Sequence, residues 1–154
     1  MNTIKVKKYS DVIEELVANE ILYPGHLVEQ ISTGKVQKHA TAGGTALAAF
    51  ALEDELQGKT IHEAYAAADQ VQVWIPTRGD MVYARLANGE TAVIGSKLES
   101  AGGGELRVHV PVAADSNDAI TVVPQCIVGI ATEAVDMSGS SGADPEGFII
   151  IRII

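Results

Sequence analysis

Four histidines, His26, His39, His62 and His109, are the side chains best suited to ligate a metal or pass a proton, and none has the paired spacing of a zinc site. A fold can still gather distant residues, so a small hydrolase or metal-dependent enzyme built from them stays open as a third reading. Otherwise they belong on solvent-facing positions of strands and loops. The single cysteine, Cys126, sits in an apolar run with Ile127, Val128 and Ile130 and reads as a buried, inert thiol. One cysteine cannot form an intramolecular disulfide, which excludes a disulfide-stapled scaffold. No Gly-x-Ser-x-Gly elbow is present, and Gly43-Gly44 and Gly102-Gly103-Gly104 lack the Lys-Ser/Thr of a phosphate loop, so both read as turns. Glu53, Asp54 and Glu55 could serve acid–base chemistry or a hard cation, but a run of neighbouring carboxylates in a loop is expected to be solvated. Arg78-Gly79-Asp80 spells an integrin-binding tripeptide. After Pro76 it is expected to be a turn, with Gly79 bending the chain and Asp80 satisfying nearby backbone groups. These patterns predict no catalytic residue, no metal and no cofactor.

The elements that would carry these residues are mostly strands. Val71, Val73 and Ile75 alternate with Gln70, Gln72 and Trp74, and Leu106, Val108 and Val110 alternate with Glu105, Arg107 and His109. Asn88-Gly89 predicts a tight hairpin between Met81–Leu86 and Thr91–Ile94, and Ser32-Thr33-Gly34 predicts another between Leu27–Ile31 and Val36–His39. The three glycines at 102–104 make a looser turn before the Glu105 strand. Gln125–Ala131 and Phe148–Ile154 are nearly continuous apolar runs, expected to be covered on both faces or to lie in a subunit interface. Between them, Ser138 to Gly147 has the composition of a surface loop. Thr60-Ile61-His62-Glu63 matches a capping box, which predicts a short helix through Ala68. Asp11 to Glu20 suits either a helix or an extended segment. The expected fold is all-β, a small antiparallel β-barrel or sandwich with one short helix and an extended N-terminal arm. The division expected is a lead-in segment over 1–23 and a single β domain over 24–154.

With 154 residues, 47% of them hydrophobic and 20% charged, the chain has the composition of a folded domain rather than a disordered one or a coiled coil. Its net charge of −9 repels a polyanion at long range, so nucleic acid is not an expected partner. The N-terminus lacks the apolar core of a signal peptide, and Phe148 to Ile151 is far too short to span a bilayer. The expected setting is therefore inside the producing cell or in an assembly leaving it, with no membrane partner. Lys5, Lys7 and Lys8 put a basic arm ahead of an acidic body. Such an arm can dock on an acidic neighbour, or its lysines can simply guard an edge strand.

A resemblance adds to this. Tyr23-Pro24-Gly25-His26-Leu27-Val28-Glu29, Gly34-Lys35-Val36 and the stretch from Phe50 through Leu56-Gln57-Gly58-Lys59 are similar to the head decoration, or capsid cement, proteins of tailed bacteriophages. The likeness continues through Ala64-Tyr65, Val71 to Pro76, Arg78-Gly79-Asp80, Leu86-Ala87-Asn88-Gly89-Glu90 and Gly95 to Ser100, so that it runs from about Pro24 to Val110. The resemblance implies a small β domain without enzymatic activity. Made in the host cytoplasm, it would bind the major capsid protein on the outer surface of the virion head, commonly as a homotrimer. On that reading Ile4, Lys5, Val6, Lys7, Lys8 and Tyr9 contact the capsid. The alternative is an adhesive or carbohydrate-binding module on the virion surface, acting through Ser138–Gly147.

Overall fold

The computed structural model describes residues 1–9, 11–111, 125–143 and 145–154; Ser10, Asp144 and residues 112–124, which fall within the lead-in segment, the surface loop and the β domain of the sequence reading, lie outside it. The fold is all-β. In chain order the strands are β1 (Lys5–Lys7), β2 (Val12–Val17), β3 (Val28–Gln30), β4 (Val36–Lys38), β5 (Phe50–Ala51), β6 (Gln70–Ile75) and β7 (Met81–Leu86). They continue with β8 (Thr91–Ala92), β9 (Lys97–Ser100), β10 (Leu106–Val108), β11 (Ile127–Ala131), β12 (Val135–Asp136) and β13 (Gly147–Ile153).

The largest sheet runs β1-β7-β10-β9-β11-β13, and a further pairing of β13 with β7 closes five of these strands into a barrel. The alternation read from sequence fills its interior. Val82, Ala84 and Leu86 of β7, Ile149, Ile151 and Ile153 of β13, Leu98, Leu106 and Val128 all turn inward and are buried. Each such aliphatic contributes about 1.5–3 kcal/mol by leaving water. Closure removes most open edges. Pairing is antiparallel throughout the barrel except between β10 and β7, which run parallel.

A second layer consists of the sheet β2-β6-β5 and the hairpin β3–β4. Its own core brings Val71 and Val73 of β6 against Leu22, Val28, Val36, Ala51 and Tyr65. β6 thus lies between two cores. Trp74, which alternation placed with the polar glutamines, points the other way into the barrel core and is wholly buried beside Phe50.

The N-terminal segment is extended and fully built in. Ile4 is buried in the barrel core, β1 pairs with β7, and β2 pairs along its whole length with β6. The register of that last pairing, Val12 opposite Ile75 through Val17 opposite Gln70, resolves the ambiguous stretch as a strand.

Several local expectations are corrected by long-range pairing. The capping-box stretch is not helical. Glu63 N–H reaches back to Thr60 O in a single turn, after which Tyr65 bridges to Leu22 and its hydroxyl donates to Leu52 O at 2.8 Å. A helix this short is marginal in water, so these fixed contacts prevail. Among the described residues the one helical turn lies just upstream at Glu55–Gln57, a 3₁₀ turn opened by Asp54, whose side chain accepts from Leu56 N–H, and closed at Gly58. The Asn88-Gly89 turn forms but joins no hairpin. β8 pairs instead with β12, and β7 is taken by β13 in six registered pairs. The seven-residue apolar strand offers β7 far more burial than a two-residue β8 could. The predicted hairpin around Ser32-Thr33-Gly34 does form, closed by Gly34 N–H on Ile31 O and Ile31 N–H on Lys35 O. The 102–104 turn likewise joins β9 to β10. β13 is not covered on both faces, since Ile149, Ile151 and Ile153 face the core while Arg152 is exposed.

Candidate functional site

The six N-terminal residues expected to make contact have different fates. Ile4 is a core residue whose N–H donates to Glu53 Oε2 at 3.1 Å, while Thr3 Oγ1 donates to the other carboxylate oxygen. Lys5 and Val6 are half-buried in the β1 pairing, and Lys7, Lys8 and Tyr9 are exposed. Lys5 and Lys8 both reach the Asp11 carboxylate, and their hydrogen bonds, that of Lys8 foremost, hold its pKa below the usual range. Lys7 Nζ lies 5.3 Å from the centre of the Tyr9 ring.

Tyr9 is held by the turn that follows β6. Its N–H donates to Asp80 Oδ1 at 2.5 Å, and Asp80 Oδ2 accepts from Thr77 N at 2.7 Å and Thr77 Oγ1 at 3.1 Å. Asp80 is completely buried, so the tripeptide is a structural turn, as its residues suggest. Gly79 has φ +98° and a Cβ there would meet the Tyr9 ring at 3.6 Å, so a side chain at this position would be strained. Above the turn the Tyr9 ring remains 68% exposed.

The surface around this turn is apolar. Pro76, Arg78, Leu47 and Ile154 border a groove of about 300 Å³ floored by Val128 and Ile153. Leu47 is 68% and Ile154 48% exposed, and Val12, opposite Ile75, is 48% exposed. Leu47 also borders a second cleft of about 300 Å³ between β2–β6 and the β3–β4 hairpin, lined by Leu16, Val28, Val36 and Val73. Tyr9, Leu47 and Ile154 are thus exposed apolar side chains, and Lys7 and Lys8 exposed basic ones.

The histidines are less exposed than their spacing suggested. His26 and His39 are buried, His109 is half-buried and His62 is exposed. His26 Nδ1 accepts from Tyr23 N–H at 3.1 Å, which leaves the Nε2 proton to donate to Glu146 Oε2 at 3.2 Å. Burial lowers its pKa and keeps the ring neutral. Arg85, also buried, joins the same carboxylate through Nη1 at 2.8 Å and donates to Pro24 O and Ile61 O. Its guanidinium lies 4.9 Å from the Tyr23 ring centre and 4.7 Å from that of Phe148. This is a clamp that fixes the Tyr23-Pro24-Gly25-His26 segment to the end of the 138–147 loop. His39 bonds Ser100 Oγ and Thr45 O, a second structural role. The three adjacent acids also divide. Glu53 anchors residues 3 and 4, Asp54 caps the 3₁₀ turn, and Glu55 alone of the three is exposed.

Glu105 faces Glu146 in the clamp. Burial, reinforced by the hydrogen bond to Glu146, raises the Glu105 pKa to about 7, while the His26 hydrogen bond lowers Glu146 to about 2. A raised folded-state pKa means that Glu105 stabilises the fold fully below its unfolded value of 4.5 and that this contribution is lost as pH rises through about 7. Glu146 does the reverse, stabilising above 4.5 and losing the effect as pH falls toward about 2. The Glu105→Gln variant is therefore expected to show a flatter dependence of Tm on pH than the parent between 4.5 and about 7, measured by thermal melts across that window.

Among the described residues, two groups of three potential metal donors occur, Glu99 with His109 and Cys126, and His26 with Glu105 and Glu146. Each holds a single histidine. Cys126 is half-buried rather than in the core. No helix in the described residues is long and apolar enough to cross a membrane. A scan against protein-family models finds no match for this chain, and a search of curated proteins finds none either.

Proposed function

We propose that this protein is a non-catalytic decoration subunit that binds the major capsid protein on the outer surface of a tailed-phage head and stabilises contacts between capsomers, acting as a homo-oligomer with three subunits favoured. The reading is carried by the exposed Lys7, Lys8 and Tyr9, of which Tyr9 is anchored on Gly79 and Asp80 in the turn whose Pro76 and Arg78 border a groove with the exposed Leu47 and Ile154. Aromatic and aliphatic anchors with a basic margin suit an acidic, partly apolar protein partner. The resemblance from Pro24 to Val110 supplies the identity of that partner. A closed barrel is also a suitable support, because it holds this surface rigid without depending on a second subunit for its core.

The test is co-sedimentation with expanded heads. The Lys7→Glu, Tyr9→Ala double variant alters exposed side chains while keeping the Tyr9 backbone bond to Asp80, so its Tm should stay near that of the parent. Its apparent Kd for heads is expected to rise at least about tenfold, equivalent to roughly 1.4 kcal/mol. Undiminished binding by the folded variant would remove this surface from the contact, and no binding by the parent would remove the capsid role.

A further inference from the structure

We infer that Glu99, His109 and Cys126 form a binding site for a thiophilic divalent cation of the zinc type. The donors come from β9 and from the residues that flank the ends of its two neighbours, β10 and β11. Glu99 lies on β9 opposite Arg107 of β10 and Ile127 of β11, His109 continues β10 two residues beyond Arg107, and Cys126 immediately precedes Ile127. One donor atom from each lies within 4.8 Å of the other two. A thiolate, an imidazole nitrogen and a carboxylate oxygen are the ligand types that zinc takes, and three protein donors leave a fourth position for water.

The surroundings favour such an ion. The Glu99 carboxylate is only 5% exposed and is oriented by Arg107, whose Nε at 2.8 Å and Nη2 at 2.7 Å both hold Oε1. Gly43 packs over that same pair, since a Cβ there would meet Arg107 Nη2 at 3.2 Å and Glu99 Oε1 at 3.3 Å. Oε2 is thereby turned toward His109 Nδ1, 2.5 Å away. Arg107 acts as the outer partner that fixes a ligating carboxylate. A cation entering here displaces the Cys126 thiol proton to solvent and moves the His109 proton from Nδ1 to Nε2 by exchange with solvent, so that the imidazole binds as a neutral ligand through Nδ1, with Arg107 offsetting part of the two anionic charges. The other three-donor group does not compete equally. His26, Glu105 and Glu146 offer no sulfur ligand, whereas Cys126 supplies the thiolate that a thiophilic ion prefers.

The test uses the full chain and zinc alone as probe, in competition with a chromophoric chelator. One equivalent is expected to bind, and Cys126→Ser and His109→Ala should each weaken binding at least tenfold while His62→Ala leaves it unchanged. Cobalt in place of zinc should give a thiolate-to-metal charge-transfer band that Cys126→Ser abolishes. Alkylation of Cys126, the only cysteine in the chain, is a readout that needs no variant, and zinc should slow it at least tenfold. No uptake by the parent chain overturns the proposal, as does unchanged alkylation with zinc bound, or uptake that is lost with His62 instead.

Discussion

Replacing Arg85 with Met is expected to destabilise the fold by about 3–5 kcal/mol, the usual cost of removing one partner from a buried ion pair. The side chain is only 8% exposed, and methionine fills much of its volume, so the loss reflects polar groups rather than a cavity. Three acceptors lose a donor at once: the Glu146 carboxylate, Pro24 O and Ile61 O. The contacts with the Tyr23 and Phe148 rings lose their cation as well. For a domain of this size the shift amounts to a fall in Tm of roughly 10 °C or more, readable by calorimetry. Lysine at the same position should recover only part of it, because one ammonium cannot span three acceptors held in a guanidinium's plane. A fall of less than about 1 kcal/mol would show that the clamp adds little to the fold.

Ile4→Ala is expected to cost about 2–5 kcal/mol, the range for truncating a buried isoleucine. Ile4 is completely buried in the barrel core, and its carbonyl accepts from Tyr83 N–H at 2.9 Å while its own N–H is held by Glu53. Denaturant titration of this variant against the parent measures the effect, with the midpoint moving and the slope unchanged. The same packing means that deleting residues 1–8 removes part of the core, so the deletion cannot separate binding from folding. Surface substitutions at Lys7 and Tyr9 can, which is why the capsid-binding test rests on them.

What the sequence made legible was the local pattern. β6 and β7 occupy the segments read as strands, Gln70–Ile75 and Met81–Leu86, and the turns at 32–34, 79 and 102–104 lie where glycine and its neighbours point. Partner choice was not legible. Nothing near Met81–Leu86 announces that Gly147–Ile153 will displace the strand after Asn88-Gly89, because both are acceptable β segments and the outcome depends on total buried length. The clamp was hidden for the same reason, since His26 and Glu146 are 120 residues apart. Glu99, His109 and Cys126 have no motif spacing, and only the strand order β10-β9-β11 brings them together. Ile4 carried a usable signal, an aliphatic in an alternating N-terminal run, but alternation cannot say whether its apolar face meets this chain or another. The helix expected from Thr60 failed because propensity over a few alanines is weaker than a tyrosine anchored at both its backbone and its hydroxyl.

β1 and β13 both run antiparallel to β7, one on each side of it, and so point in the same direction. Force applied to the two termini would therefore drag these strands along β7 in opposite senses. The hydrogen bonds on each flank would be loaded together in shear instead of opening one after another like a zip. The domain is thus built to resist traction between its ends far better than its modest size suggests, and a single-molecule pulling measurement should find its unfolding force in the range typical of sheared rather than peeled strands.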